Sequence, residues 1–422
     1  MNLTKCALFI IALLGCGLNL KAQQNLPYSR YGIGTLSEPD PASLKGWGDL
    51  TAPSHNPSAI NLGNPASYSA LKITTFEAGI FGSLITIGDK DSSQTFGDGS
   101  VSNFALGFPV IRNKLGICLG ITPFSRVNYN IIQKNDSVPG LGQTGNSFQG
   151  SGGLYRFFLG SGIKYKNLAA GLNIAWVFGT DNYTDILVFE DTVNALSTKK
   201  VEQRVLGGFL LDAGLQYRVP LQNGFSFDLG LQGNFKTNIS SRRNLVYQRL
   251  HYSLLSGEQI IDTVFNSPDS SGKTTLPASF SGGVIFRNEN HFSVGVNYRF
   301  TAWDQYRFFE QKDITINNWN LSIGTEWIPN YKAYNNYLNI ISYRTGLRYG
   351  KDYIQFNQKD LPQYGVSVGL GLPLKRTISQ ISLSGQWLHT GHTSDNPVSI
   401  NTYRLTLGLT LNDVWFLKRR FD

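Results

Sequence analysis

A nine-residue alternation near the end of the chain constrains the fold most. From Tyr403 to Leu411 every second residue is apolar, and the residues between them are polar or glycine. Successive side chains of a β-strand point to opposite faces, so this pattern places one continuous apolar row on one side. A tilted strand needs about this length to cross the hydrocarbon core of a bilayer, whereas strands of soluble proteins are usually shorter. The segment therefore predicts a transmembrane strand.

The same alternation recurs through most of the chain after residue 70. Short connections alternate with long polar ones at about 88–99, 133–150, 181–198 and 241–274, which is typical of outer-membrane barrels with periplasmic turns and extracellular loops. The sequence thus predicts an all-β fold, a transmembrane antiparallel β-barrel of about 14 strands. The predicted strands lie near 71–87, 100–110, 114–132, 151–166, 168–180, 199–219, 224–240, 275–287, 291–307, 313–328, 337–350, 361–373, 378–390 and 398–412.

The composition agrees with a barrel and excludes other classes. Charged residues make up 15% of the chain, below the roughly 25% of soluble proteins, and aromatic residues reach 13%. The mean hydropathy of −0.16 excludes a bundle of membrane helices. The net charge is +9, but no basic patch carries interleaved stacking aromatics. Nucleic acid is therefore not an expected partner, whereas anionic membrane lipids are.

The first 22 residues resemble a secretory signal peptide. Lys5 supplies the positive charge, residues 7–14 the apolar core, and cleavage is expected after Ala22. Processing as a lipoprotein at Cys16 is the alternative. After cleavage Cys118 is the only cysteine left, so no intramolecular disulfide can form. The chain is expected in the outer membrane of a Gram-negative bacterium.

Residues 23–70 do not alternate and are expected to form an N-terminal plug, or hatch, ahead of a barrel at 71–412 and a periplasmic tail at 413–422. The plug region repeats a turn-forming tripeptide, Asn56-Pro57-Ser58 and Asn64-Pro65-Ala66. Apolar residues such as Trp47 and Leu50 favour burial of this region inside a barrel. A disordered leader is the alternative interpretation.

Two short motifs resemble the FadL-type outer-membrane transporter family. Asn64-Pro65-Ala66 stands just before the first strand, and Pro123-Phe124 lies in the third. The resemblance implies a hatch, a fourteen-stranded barrel, and a kinked third strand that opens a lateral path from the lumen to the membrane. It also implies passive transport of hydrophobic or amphipathic small molecules. The closing segment, residues 411–420, looks like that of Bacteroidetes members.

Inward-facing arginines are the candidate ligand contacts. Arg344 and Arg348 are four residues apart on one strand and share a face, and Arg404 also faces inward. A guanidinium group binds a carboxylate head group with two parallel hydrogen bonds. The alternative is a lumen filled with paired charges and water.

Two further function classes are alternatives to transport. A lipase-type site needs a serine, a histidine and an orienting group, and only His389 lies near a strand end with serines close by. We therefore expect no enzyme activity, no metal and no cofactor. The remaining alternative is a non-transporting structural subunit of an outer-membrane secretion or assembly complex. In that case the tail beginning at Trp415 is a candidate contact with another envelope protein.

Overall fold

The computed structural model describes most of the chain after residue 25. The described residues are 26–38, 40–88, 92–135, 144–189, 196–253, 257–288, 291–333, 336–356, 358–391 and 399–415. The expected signal peptide, including Cys16, lies outside the described residues, as do residues 416–422 of the tail.

Fourteen strands form the wall, and two of them are interrupted by a short break. Each pairs in antiparallel fashion with its neighbours, and the last strand pairs with the first, so the sheet closes into a barrel. The strands are β1 Thr74–Gly88, β2 Ser93–Ile111, β3 Leu115–Lys134, β4 Thr144–Tyr165, β5 Leu168–Phe189, β6 Ser197–Pro220, β7 Phe225–Asn234 and Thr237–Ser253, β8 Gly257–Leu276 and Ser279–Asn288, β9 Phe292–Thr301, β10 Asn318–Trp327, β11 Ser342–Phe356, β12 Lys359–Pro373, β13 Gln380–Thr390 and β14 Ser399–Asp413.

The remaining described elements are short. They are a two-residue strand at Thr35–Leu36, a small hairpin of Arg307–Phe308 and Gln311–Lys312, the α-helix Ala42–Lys45, and 3₁₀ turns at Pro27–Arg30, Pro65–Ala70, Gln222–Gly224, Trp303–Gln305 and Tyr337–Ile340. Among the described residues no helix is long and apolar enough to cross a membrane.

An apolar belt surrounds the lower part of the barrel. On β4 the outward row runs from Tyr155 to Tyr165, and Phe157, Leu159 and Ile163 between them are 44%, 53% and 60% exposed. These eleven residues of tilted strand match the roughly 25 Å height of the lipid-facing band, and the two tyrosines mark its aromatic borders. The predicted barrel with alternating lipid-facing residues is therefore confirmed.

The wall extends well beyond this belt at the end that carries the long connections, which we call the upper or extracellular end. Strands β4, β5 and β6 contain 22, 22 and 24 residues, about twice what the membrane requires. Most of the polar stretches predicted as long loops are the upper parts of paired strands, and only their tips connect one strand to the next. The loop prediction was wrong there because both faces of these extensions are largely polar, so no apolar row marks them as strands.

The N-terminal segment fills the inside of the barrel. Leu50, Ala52, Ala66 and Tyr68 have no exposed surface, and the described residues 26–38 and 40–71 contact the inner faces of the wall strands. We call residues 26–71 the plug. Its upper part, residues 26–38, lies in the extracellular half of the barrel, where Leu26, Tyr28 and Ile33 belong to a large buried apolar cluster.

Candidate functional site

Asn64 joins the plug to the barrel wall. Its Oδ1 accepts a hydrogen bond from the Ala66 amide at 3.1 Å and so caps the 3₁₀ turn Pro65–Ala70. Its Nδ2 donates to the carbonyl of Ala52 at 2.7 Å and approaches the wall carbonyls of Leu231 at 3.2 Å and Leu215 at 3.4 Å. A fully buried amide with all its groups in use makes this asparagine difficult to replace.

The two Asn-Pro sequences have different surroundings. Asn56 and Pro57 are exposed at the periplasmic end, where Asn56 Oδ1 accepts a hydrogen bond from the Ser58 amide at 2.9 Å and closes a local turn. Asn64, Pro65 and Ala66 are buried against the wall. Sequence repetition alone did not distinguish the anchoring copy from the exposed one.

Glycines on the inner face of the wall make room for the plug backbone. A Cβ atom at Gly116 would lie 1.9 Å from the Tyr68 carbonyl oxygen, and one at Gly171 would lie 2.3 Å from the Pro65 carbonyl carbon. Gly162, Gly214 and Gly230 face plug atoms at similarly short range. Because only glycine permits such an approach, the lower plug sits directly against the wall.

The wall contains an unpaired stretch between β2 and β3. The two strands pair from Ile111 opposite Leu115 up to Phe104 opposite Ile121, and within the described residues 92–135 their pairing ends there. We call residues 93–103 of β2 and 122–134 of β3 the seam. Ile121 is opposite Phe157 of β4, two residues below Tyr155, so the seam begins in the upper part of the apolar belt.

A bulge at Phe124 marks the start of the seam. The register between β3 and β4 shifts between Pro123 and Ser125, and the buried face of β3 changes from even to odd residues at this point. An extra residue in one strand bends it and re-aims its side chains. The structure therefore places the predicted Pro123-Phe124 kink at the edge of the wall opening.

The upper plug covers the free edge of β3. Thr35 pairs with Arg126 and Leu36 with Ser125, and the Ser37 amide donates to the Phe124 carbonyl at 3.0 Å. Across the seam, Arg126 forms an ion pair with Asp98 of β2 at 2.7 Å. The plug thus supplies the strand pairing that β2 does not provide.

A cavity of about 430 Å³ lies between the lower and upper parts of the plug. Asp49 and Leu62 line it from below, Leu26 from above, and Pro123 and Phe124 border it at the seam. Cavities of this volume commonly hold a small organic molecule. Its walls combine apolar side chains with several charged groups.

A plug carboxylate neutralises Arg348, one of the predicted ligand contacts. The Arg348 guanidinium hydrogen-bonds to Glu38 and lies 3.8 Å from Asp49. Burial alone would raise the pKa of Glu38, but Arg348 and Lys45 hold it well below its usual range. Burial and the nearby Glu38 instead raise the pKa of Asp49 to about 7. Arg348 therefore holds the plug in place.

Arg404 and Arg299 face the same cavity without an ion pair among the described residues. The Arg404 guanidinium stacks over the Phe81 ring at 4.7 Å, and its buried Nε has no hydrogen-bond partner. Arg299 donates from Nη2 to the Thr51 hydroxyl at 3.1 Å. Both line the cavity, so these two arginines are the cations that an anionic group in it would meet.

Arg344 has a different position. It binds Glu326 of the neighbouring strand at 2.6 Å and does not line the cavity. Arg344 and Arg348 share a face as predicted, but the structure does not bring them to one site. Sequence reasoning missed Glu38, Asp49 and the strand Thr35–Leu36, because it contains no signal for which wall residue each meets.

His389, the histidine near a strand end, has a structural environment. Its two ring nitrogens lie 2.9 Å from Asn401 Oδ1 and 2.6 Å from the Gly391 carbonyl oxygen, and the ring stacks on Tyr364. In the part of the chain that the structure describes, no three His, Cys, Asp or Glu side chains come together to hold a metal ion.

Several solved structures share this fold. The Pseudomonas putida toluene transporter TodX superposes with a TM-score of 0.55 at 15% identity, covering 90% of this chain and 99% of that chain. A Pseudomonas aeruginosa FadL homologue gives 0.54 at 12% identity, covering 90% and 99%. The Ralstonia pickettii toluene transporter TbuX gives 0.51 at 14% identity, covering 88% and 98%.

These structures confirm the predicted FadL-type barrel fold, while an origin in Bacteroidetes stays a prediction. No curated protein matches the sequence. The family model of BamG matches residues 3–422, which is nearly the whole sequence. The chain therefore belongs to the BamG family.

Proposed function

We propose that this protein is a passive channel for hydrophobic or amphipathic small molecules in the outer membrane. The observation that carries the proposal is that the cavity between the two parts of the plug reaches the seam, with Pro123 and Phe124 bordering both. A molecule held in the cavity is therefore next to an unpaired stretch of wall. The similar structures include toluene transporters and a monoaromatic hydrocarbon channel, which supports the same function.

The exit is sideways rather than downward. Asn64 and the wall glycines hold the lower plug against the wall at the periplasmic side of the cavity. The seam, in contrast, begins at the level of the upper apolar belt, two residues below Tyr155. A hydrophobic molecule that passes Phe124 reaches lipid without crossing water, which is the favourable direction for apolar surface.

Access requires the upper plug to move. Leu26, Tyr28 and Ile33 are packed in the apolar cluster of the extracellular half, and Thr35–Leu36 covers the β3 edge. Displacement of residues 26–38 would open the cavity to the outside and uncover the seam in one step. The lower plug, residues 40–71, would remain in place.

The ligand class follows from the cavity walls. Leu62, Leu210 and Ile400 offer apolar contact, and Arg299 and Arg404 offer cations without an ion pair among the described residues. An apolar body with one carboxylate group satisfies both. Arg348 contributes to such a site only after Glu38 has moved away with the upper plug.

A reversible crosslink tests the gating step. Leu36 and Ser125 face each other across a non-hydrogen-bonded position, because the flanking Ser37 amide bonds Phe124. Such pairs have Cα atoms about 4.5 Å apart, which suits a disulfide. L36C/S125C in liposomes should take up ligand when reduced and stop when oxidised. The control T325C/T345C crosslinks two wall strands away from the plug and should transport in both states.

The outcomes separate the parts of the proposal. Equal uptake by oxidised and reduced L36C/S125C would reject gating by the upper plug. No ligand uptake by the wild-type protein, compared with empty liposomes, would reject transport itself.

A second candidate function is a non-transporting subunit of an envelope complex. The observation that favours it is the close fit of the lower plug, since Gly116 and Gly171 leave no space between wall and plug backbone. A sealed barrel serves as a stable membrane anchor for partners. Co-purification with other envelope proteins after mild detergent extraction supports this function, and isolation as a single chain under the same conditions contradicts it.

A further inference from the structure

The periplasmic end of the barrel carries an arc of positive charge. Five basic side chains form it: Lys72 where the plug joins β1, Lys114 and Lys164 at the ends of β3 and β4, and Arg218 and Arg287 on β6 and β8. We call these five residues the basic arc. Lys114 and Lys164 are neighbours, because the Lys164 amide donates to the Lys114 carbonyl at 2.7 Å.

One carboxylate, that of Asp228, lies within the arc, and it is paired with two arginines. Asp228 accepts a hydrogen bond from Arg218 at 2.9 Å and lies 3.4 Å from Arg287 Nε. Lys72, Lys114 and Lys164 have no carboxylate of the described residues within salt-bridge distance. At least three positive charges of the arc therefore have no balancing charge in the described chain.

Several basic side chains at the extracellular end of the barrel form ion pairs: Lys199 with Glu258, Lys200 with Asp185 and Glu202, Arg249 with Asp262, and Lys351 with Asp360. Within the arc, Asp228 is the one carboxylate of the described residues that forms such a pair.

The side of the wall on which the arc lies argues against lipid as the ligand. Lys164 shares the inner face of β4 with buried Phe158, and Arg218 shares the inner face of β6 with buried Gln216. The outward neighbours Tyr165 and Tyr217 are 74% and 46% exposed at the aromatic border of the belt. Head groups surround the outside of the barrel, whereas Lys164 and Arg218 lie at its opening beside the plug.

A cleft beside the plug brings part of the arc to one place. His55 and Ser69 of the plug line it together with Lys164, Gln216 and Arg218 of the wall. Lys72 follows the plug directly, and its amide donates to the Pro57 carbonyl at 3.0 Å. A polypeptide bound at the arc would therefore contact both the wall and the exposed floor of the plug.

We propose that the basic arc is a docking site for an acidic segment of a periplasmic protein. Lysine ammonium groups attract carboxylates as point charges, and an extended chain of Asp or Glu residues can meet several of them at once. The site is separate from the cavity and the seam, and the proposal does not depend on transport.

Peptide binding to the protein in nanodiscs tests this site. The probe is a fluorescein-labelled oligoglutamate peptide, the lipid is zwitterionic phosphatidylcholine, and the readout is fluorescence anisotropy at low and physiological salt. The variant K72Q/K114Q/K164Q should weaken binding by about tenfold, because it removes three lysine charges whose individual pairings with carboxylates are weak. Binding to the wild type should also weaken as salt is added.

A matched control variant separates a site from general attraction. K166Q/K375Q/R376Q removes the same charge from exposed periplasmic turn residues outside the arc and should keep peptide binding within about twofold. Equal losses in both variants, or no loss in the arc variant, would overturn the proposal. A lipid site would also contradict the proposal. In that case the arc variant would retain less phosphatidylglycerol than the wild type but would still bind the peptide. Unchanged melting temperatures in both variants show that the barrels are folded.

Discussion

Arg126 and Asp98 meet at 2.7 Å across the stretch of wall where β2 and β3 do not pair with each other. The Asp98 side chain is 3% exposed, and the Arg126 side chain is 28% exposed. A nearly buried carboxylate depends on its cationic partner, because burial without one is costly. This ion pair therefore spans an opening that backbone hydrogen bonds leave unclosed.

Removing the charge of Asp98 should loosen the seam. Asp98→Asn keeps the shape of the side chain but loses the charge-assisted bond, at a cost of about 1–2 kcal/mol. We expect faster uptake of a hydrophobic dye into liposomes. The control Asp262→Asn breaks the exposed Arg249–Asp262 pair on the extracellular hairpin and should leave uptake unchanged. Identical uptake in D98N and wild type would show that the pair does not restrain the seam.

Asn64→Ala should release the lower plug. The substitution removes the cap of the turn Pro65–Ala70 and the donor to Ala52, and together these losses cost about 2–4 kcal/mol. Hydrogen exchange of residues 61–70 in detergent should become faster. Asn56→Ala is the matched control, because Asn56 is exposed and makes only a local turn. Equal protection in both variants would contradict an anchoring role for Asn64.

Gly116→Ala should disturb the fit between wall and plug. Its Cβ would lie 1.9 Å from the Tyr68 carbonyl oxygen, so either the wall or the plug backbone must move. We expect a loss of roughly 2 kcal/mol or more in barrel stability, measured by denaturant unfolding in detergent. Gly385→Ala meets its nearest atom, Val368 Cγ2, at 3.6 Å and should be tolerated. A stable, protease-resistant plug in G116A would argue against tight seating.

The two arginines Arg404 and Arg344 should respond differently to replacement by glutamine. Arg404→Gln should lower uptake of a carboxylate-bearing ligand about tenfold and leave a neutral hydrocarbon unaffected, because only the charged head group loses a partner. Arg344→Gln should instead reduce stability by about 2–3 kcal/mol, since Glu326 loses its cation. Loss of both ligands in R404Q would indicate a structural rather than a binding role.

The fold was largely predictable because every second side chain of a transmembrane strand faces lipid and must be apolar. The outward row of β4 from Tyr155 to Tyr165 had to be apolar, and that requirement is visible in the sequence. The same reasoning failed for the upper part of the wall. There the strands stand in water, as where Arg249 of β7 pairs with Asp262 of β8, and polar sequences of this kind do not distinguish a hairpin from a loop.

The candidate site was predictable only in its parts. Pro123-Phe124 and Asn64-Pro65-Ala66 were found as motifs, and the structure places the first at the seam and the second against the wall. Their roles in transport stay predictions. The arginines show the limit of sequence reasoning: Arg348 is opposite Glu38, 310 residues away along the chain, while Arg404 has Phe81 beneath it.

The sequence by itself determined a closed barrel of about fourteen strands with a non-alternating N-terminal region, since alternation and turn chemistry are local properties. Only the tertiary structure decided that the upper plug pairs with β3 at Thr35–Leu36, that the seam lies next to the cavity, and which arginines remain without an ion pair among the described residues. These features arise where the plug meets the wall. Contacts between segments so distant along the chain depend on how the barrel closes around the plug.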